Sequence, residues 1–338
     1  MRIKLSYYFA NEPLFRQTPG GLGIWKGHSF LGNDPGVRQC DMWVVLDDTA
    51  EEEEVAFVES GRAVLITLEP PRTRDYQPGF LTQFDLVVSC HQNLRHPNVR
   101  LEYQGQAWHI GMHKGADAND RPAFRGTIGY DEFLKMPPPQ KTAALSVICS
   151  ASSRLPGHRA RREFVEKLQD RLGDRVDVFG RGVRPIPDKA DAILPYRYHV
   201  ALENSGLRDY WTEKLSDSFL GWSFPIYWGC PNVGDYFQED SLIRIDIARP
   251  HEAIAIIEAV MDQELTPERV AGLTAARSLL LDRYNTFDVM LRHCQSLAPA
   301  RPREIVIRPQ RFFRPSRARR FATRVARKIS SGLWGDRA

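Results

Sequence analysis

Short apolar runs, closed by polar or glycine-rich turns, alternate with amphipathic stretches along most of the chain. Ile3–Tyr8, Asp41–Asp47, Arg62–Leu68 and a run within Leu81–Ser89 read as strands. Glu51–Phe57 reads as the start of a helix, because its acids fall at the end the helix dipole favours. Strands alternating with helices predict a parallel sheet. Met136-Pro-Pro-Pro-Gln-Lys141 is the best linker, since three successive prolines continue neither kind of element and hold the chain extended. The pattern then restarts with strand Ala143–Ser150, helix Arg159–Leu172, strand Val176–Phe179 and, later, helices Pro250–Met261 and Pro267–Asp282. Two such units predict an α/β protein of two facing Rossmann-like domains, residues 1–140 and 141–300, with a cleft between them.

The densest signal runs from Tyr198 to Gly229. His199–Leu202 suits a buried parallel strand, and Ser205 and Gly206 break it. Thr212 is placed to cap a helix whose apolar positions include Leu215, Phe219 and Leu220. Phe224–Trp228 is the next strand, closed by Gly229 and Pro231. Lys214 falls in the first helical turn, where a cation costs roughly 0.3–1 kcal/mol. Two readings stay open from charge alone: Glu213 neutralises it on a solvated turn, or a polyanion docks on the helix end.

The string Glu203-Asn204-Ser205, Tyr210, Thr212-Glu213-Lys214 and then Pro225-Ile226-Tyr227-Trp228-Gly229 resembles the signature of the family-ten glycosyltransferases, the α-1,3/1,4-fucosyltransferases. Leu202 stands where that family has phenylalanine, and Trp211 where it has valine. The resemblance extends from roughly Ala143 to Asp246. It implies a GT-B type architecture and inverting transfer of L-fucose from GDP-fucose to a hydroxyl of an acceptor glycan, such as a GlcNAc-type sugar of a surface polysaccharide or lipid-linked oligosaccharide.

Residue roles follow from the same resemblance. Lys214 and Arg161 are implied as phosphate partners, Glu213 as a ribose ligand, and Asn204 and Tyr210 as lining of the donor pocket. A guanidinium suits a pyrophosphate by its forked geometry. Arg159, Arg161 and Arg162 cluster, so a solvated basic helix end is the alternative, and Arg162 replaces Arg161 if the register slips by one. Glu69 is the candidate general base. It ends the strand Ala63–Leu68 before Pro70 and Pro71, where α/β sheets place ligands, and the family carries a base glutamate there, ahead of a segment matched by Phe84-Asp85-Leu86. The alternative is a surface glutamate at a strand end. Gly180-Arg181-Gly182 is too short for a dinucleotide fingerprint.

His91, His96, His109 and His113 with Cys90 match no standard zinc spacing, and Asp47-Asp48 is not an Asp-x-Asp motif. No cofactor or metal is expected, because Lys214 and Arg161 can balance the leaving charge; His91 or His109 could touch the acceptor instead. Cysteines 40, 90, 149, 230 and 294 are scattered and odd in number, which suits reduced, mostly buried thiols.

The net charge of +4 hides an asymmetry. From Arg301 onward twelve Lys and Arg face only Glu304 and Asp336, so the body is mildly acidic and the tail strongly basic. Phe321, Val325, Ile329 and Leu333 step by four through the arginines of the 301–338 segment. That predicts a basic amphipathic helix, fit to lie on an anionic membrane surface through residues 312–334, with Phe312, Phe313 and Trp334 as anchors. Nucleic acid is the rival partner, ranked lower because a phosphate contact has no use for the apolar stripe; docking on the protein's own acidic body is the third. No run of about 18 apolar residues occurs, and the first ten residues read as a strand rather than a signal peptide. The expected setting is cytoplasmic, peripheral on the inner face of the membrane, as for a bacterial-type relative. Rival functions are transfer from another nucleotide sugar and a non-catalytic sugar-nucleotide or membrane-binding protein.

Overall fold

The structure, a computed structural model, describes residues 1–9, 12–50, 53–71, 73–116, 122–151 and 156–314. Its first unit is organised around Met42–Leu46, an apolar run buried at every position. Apolar on both faces, it needs cover on both, as parallel strands do. It pairs in parallel with Arg2–Tyr7 on one side and Ala63–Ile66 on the other, inside a seven-stranded sheet. Leu86–Ser89 and Val99–Leu101 extend the sheet beyond Ala63–Ile66; His28–Gly32 and Ile24–Trp25 extend it beyond Arg2–Tyr7. The chain therefore fills the sheet outward in two directions from the gap between Arg2–Tyr7 and Met42–Leu46. That gap is the switch point, the place where open α/β sheets bind ligands at the carboxyl ends of their strands.

The second unit repeats the logic with five parallel strands. Their spatial order is Asp177–Phe179, Ala143–Ile148, Tyr196–Leu202, Phe224–Trp228, Ile243–Arg244. The switch point here falls between Ala143–Ile148 and Tyr196–Leu202. Helices Pro156–Leu172, Glu213–Leu220, Pro250–Val260 and Pro267–Leu281 flank the sheet. The expected strands and helices of this unit are all present. No regular element spans residues 136–142, where the triple proline lies, and Lys141 donates to the carbonyls of Leu194 and Gly221 at 2.9 Å each, tying the linker to the second unit.

Three expectations change. The helix expected over Glu51–Phe57 is strand Glu54–Val58, antiparallel to Arg303–Ile307. Ala56 and Val58 are buried while Phe57 is exposed, a period of two. Half-buried Glu54 pairs with buried Lys4 at 3.1 Å. Pairing with a distant strand overrides the local preference of an acid run for a helix start. Second, the region 141–300 does not form a single unit. Helix Thr286–Gln295 buries Phe287, Met290, Leu291 and Cys294 against Ile3, Leu5 and Val44 of the first unit. In the reverse sense, Tyr103, Trp108, Ile110 and Phe133 join the second unit's core. The spacing of 287, 290, 291 and 294 announces a buried helix face, but nothing in it says which core receives that face.

The third change concerns the tail. Its first residues belong to the fold, since Ile305 and Ile307 pack with Trp43, Val45 and Phe80. Phe313 packs against Phe80 and Gly79, so it is committed to the protein rather than free to anchor in a membrane; Phe312 is exposed. Residues 315–338, including Trp334 and the apolar stripe, lie outside the described residues. All five cysteines are buried and unpaired. Among the described residues no helix is long and apolar enough to cross a membrane.

Candidate functional site

A cavity of about 130 Å³ opens at the switch point of the second sheet. Ile148 and Ser150, at the end of one strand, and Val200, Ala201 and Leu202, at the end of the next, form part of its wall. Arg161, Lys189, His199, Glu213 and Lys214 bring the charge and polarity. Arg161 and Lys214, 53 residues apart in sequence, thus share one cavity.

Arg161 is buried on the inner face of helix Pro156–Leu172. Its Nη1 donates to Asn204 Oδ1, and its buried Nε has no partner among the described residues. Arg162 instead pairs with Glu166 at 3.2 Å on the outer face, and of the two arginines it is Arg161 that lines the cavity. The helix can approach the strand end because residue 157 is glycine: a Cβ there would overlap the carbonyl oxygen of Asn204.

Thr212 caps helix Glu213–Leu220, its hydroxyl accepting from the Lys214 N–H, as the sequence predicts. Glu203 is fully buried and accepts from Thr212 twice, through the backbone N–H and the hydroxyl, both at 2.7 Å. This closes the loop 203–212 on itself. Lys214 Nζ lies 3.1 Å from Thr212 Oγ1, 3.1 Å from Glu213 Oε1 and 3.7 Å from Glu203 Oε2. Burial raises the Glu203 carboxyl, with Lys214 opposing. For Glu213 burial also opposes ionisation, but Lys214 and Lys189 outweigh it and hold the carboxyl well below the usual range.

Lys189 was not singled out by the sequence. It donates to Glu213 Oε1 at 3.3 Å and to Asp217 Oδ2 at 2.8 Å. Burial alone would lower its ammonium; Asp217 and Glu213 turn the shift upward. His109 Nδ1 stands 3.8 Å from Glu213, and its pKa is pushed down to about 3 by burial, so it is neutral. Lys189 lies in a segment with no periodicity, and only its fold neighbours reveal it. Glu203 and Asp217 do carry a signal: a carboxylate in an apolar run or on a buried helix face needs partners.

Glu69 stands across the cleft in the first unit, partly buried. Leu68 N–H donates to Asp47 Oδ1 at 2.9 Å, and His91 Nε2 donates to the Glu69 carbonyl at 2.8 Å. Asp47 is fully buried and also binds Arg74 Nη1 at 2.7 Å and the Tyr76 hydroxyl. The segment carrying Glu69 is therefore pinned on both sides. Burial raises the Glu69 carboxyl, Asp47 adds to the effect, and Lys214 lowers it, which places Glu69 within electrostatic reach of the second unit's cations. Tyr210 is buried rather than lining the cavity. Its phenol is raised far above its ordinary value by burial, then by Glu203, Glu69 and Glu213.

The histidines do not converge. His91 bonds Glu69, His96 bonds the carbonyls of Asn98 and Phe84 at 3.0 Å, and His109 faces Glu213. Asp48 is engaged by Arg74. Among the described residues no three His, Cys, Asp or Glu side chains group as a metal site.

Part of the chain is similar to known proteins. Residues 139–265 match the model of the glycosyltransferase family 10 (fucosyltransferase) C-terminal region. The 4-galactosyl-N-acetylglucosaminide 3-alpha-L-fucosyltransferase of Homo sapiens is 32% identical over 116 residues, 32% of this chain and 32% of that protein. The 3-galactosyl-N-acetylglucosaminide 4-alpha-L-fucosyltransferase of Homo sapiens is 32% identical over 116 residues, 32% of this chain and 31% of that protein. The match thus spans about a third of the length of these curated relatives. A crystal structure of an alpha1,3-fucosyltransferase with GDP-fucose aligns with 81% of each chain at a TM-score of 0.45 and 15% identity. The matched segment, residues 139–265, contains Arg161, Glu203, Thr212, Glu213 and Lys214. Glu69 lies outside it.

Proposed function

We propose that this protein is an inverting fucosyltransferase that uses GDP-fucose. The observation that carries the reading is the shared cavity of Arg161 and Lys214 at the second sheet's switch point. In this reading the diphosphate lies between the two cations, with the unpartnered Arg161 Nε turned to account. Glu213, held ionised, accepts the ribose hydroxyls. Asn204 positions Arg161, and Tyr210 backs the pocket from the protein side.

Glu69 takes the proton from an acceptor hydroxyl. The oxygen so freed attacks the anomeric carbon of fucose from the face opposite the leaving group; the bond from that carbon to the diphosphate oxygen breaks, and GDP departs. Arg161 and Lys214 meet the charge that grows on the leaving phosphate. No metal step enters this scheme. The curated relatives are named for galactosyl-N-acetylglucosaminide acceptors, which makes an N-acetylglucosamine-containing glycan the acceptor of choice here. The stripe of Phe321, Val325, Ile329 and Leu333 within a basic tail favours an anionic membrane surface on the cytoplasmic side, where a lipid-linked acceptor would be found. Liposome flotation with and without residues 315–338 tests that part, and equal recovery of both forms would discard it.

The main test is incubation of the full chain with GDP-fucose and N-acetyllactosamine, read by mass spectrometry of the glycan. A mass gain of one deoxyhexose, abolished by Glu69→Gln while GDP still binds, supports the proposal. Turnover of a different nucleotide sugar would favour another transferase activity, and GDP binding without any turnover a non-catalytic role.

A further inference from the structure

The mechanism leaves one conspicuous group unused: Tyr8, a large aromatic side chain 46% exposed beside the candidate base. It follows strand Arg2–Tyr7 directly. In the sheet register Tyr7 pairs with Leu46, and Leu46 with Ile66. Tyr8, Asp47 and Thr67 therefore stand level at the carboxyl ends of three adjacent strands, with Glu69 two residues beyond Thr67. Strands lie about 4.8 Å apart, so Tyr8 and the Glu69 strand are separated by roughly 10 Å, with Asp47 of the intervening strand between them. The gap between Arg2–Tyr7 and Met42–Leu46 is also the first sheet's switch point, where this fold class receives ligands.

The surroundings of Tyr8 are built rather than accidental. Arg74, fixed by Asp47 and Asp48, lies over the Tyr8 ring with its guanidinium carbon 5.1 Å from the centroid. Phe9 meets Tyr8 edge-on at 5.4 Å. Asp47, Glu69 and Glu12 are the anionic neighbours; with burial they push the phenol up to about 12, so the hydroxyl stays neutral and can both donate and accept. Glu12 is in turn within reach of Lys114, Glu213, Arg16 and Lys189, which puts it in the same cleft.

We propose that Tyr8 is the stacking platform of an acceptor subsite, taking the apolar face of a neutral pyranoside and presenting its hydroxyl to Glu69. This rests on the glycosyltransferase reading above and adds to it the wall on which the acceptor lies. An aromatic ring held by an arginine and left open on the solvent side offers apolar area without exposing a flexible chain. The carboxylates of Glu12 and Glu69 accept sugar hydroxyls and disfavour an anionic sugar. Glu69 is the catalytic residue in this arrangement; Tyr8 binds.

The test uses the full chain with saturating GDP and methyl N-acetyl-β-glucosaminide as probe, read by saturation-transfer NMR, with GDP affinity measured separately by calorimetry. Tyr8→Ala is expected to lower the sugar signal about fivefold or more and to change GDP affinity less than about twofold, while Tyr8→Trp and Tyr8→Phe keep most of the signal. No transfer to the sugar in the unmodified protein, or the same transfer in Tyr8→Ala, overturns the proposal. So does a parallel loss of GDP affinity in Tyr8→Ala, which would make the ring part of the fold. Failure of the unmodified protein to bind GDP would instead overturn the donor reading, and the sugar signal would still report on Tyr8.

Discussion

Glu203 grips Thr212 with both carboxylate oxygens, one on the backbone N–H and one on the hydroxyl, each at 2.7 Å. That single buried carboxylate sets the start of helix Glu213–Leu220 and, with it, the positions of Glu213 and Lys214. Glu203→Ala leaves the Thr212 N–H without its acceptor in a dry site, at a cost of about 1–3 kcal/mol. The expected outcome is a lower urea midpoint together with weakened GDP binding. Unchanged GDP affinity in the destabilised variant would show that the loop does not position the pocket.

Glu69 is raised by burial and by Asp47. A base works only when deprotonated, so transfer should grow with pH through an acidic limb displaced upward from the ordinary carboxylate range. The like-charge contribution is removed in Asp47→Asn, which should move that limb down, provided the fold survives; circular dichroism checks the latter. A pH–rate profile of kcat/KM for both proteins decides. A limb that keeps its position in the variant would detach Asp47 from the control of Glu69.

Lys189 holds Glu213 Oε1 and Asp217 at once. If Glu213 reads the ribose, Lys189 is a positioning residue for that contact. The readout is the affinity ratio of GDP to 2′-deoxy-GDP by calorimetry. The unmodified protein should prefer GDP by about tenfold, the scale of one hydrogen bond to a charged group. Lys189→Met should reduce that preference toward unity, and Lys189→Arg should restore part of it. A preference that survives in Lys189→Met would leave Lys189 a purely structural cation.

Much of the second unit was legible in the sequence, for identifiable reasons. Its strands are short aliphatic runs, and its helix start carries a cap, Thr212, whose side chain accepts from the Lys214 N–H. Arg161 and Arg162 stayed alternatives in the sequence; the fold puts Arg161 on the buried face of its helix and sets Arg162 beside Glu166. Less was legible where partners are remote. The acids before Phe57 suggested a helix because the strand that captures them, Arg303–Ile307, lies some 250 residues away. Phe313 looked like a membrane anchor because its seat against Phe80 and Gly79 is a tertiary contact. Lys189 and Tyr8 left no local trace, since their importance comes from which carboxylates the fold sets beside them.

The central claim is that Arg161 and Lys214 form a receptor for guanosine diphosphate, and calorimetric titration of GDP into the full chain and into Lys214→Ala tests it most directly. The account predicts saturable binding to the unmodified protein, weakened by roughly 1.5–3 kcal/mol, or about 10- to 150-fold, in Lys214→Ala. No heat of binding with the unmodified protein, or equal affinity in the two, would contradict it.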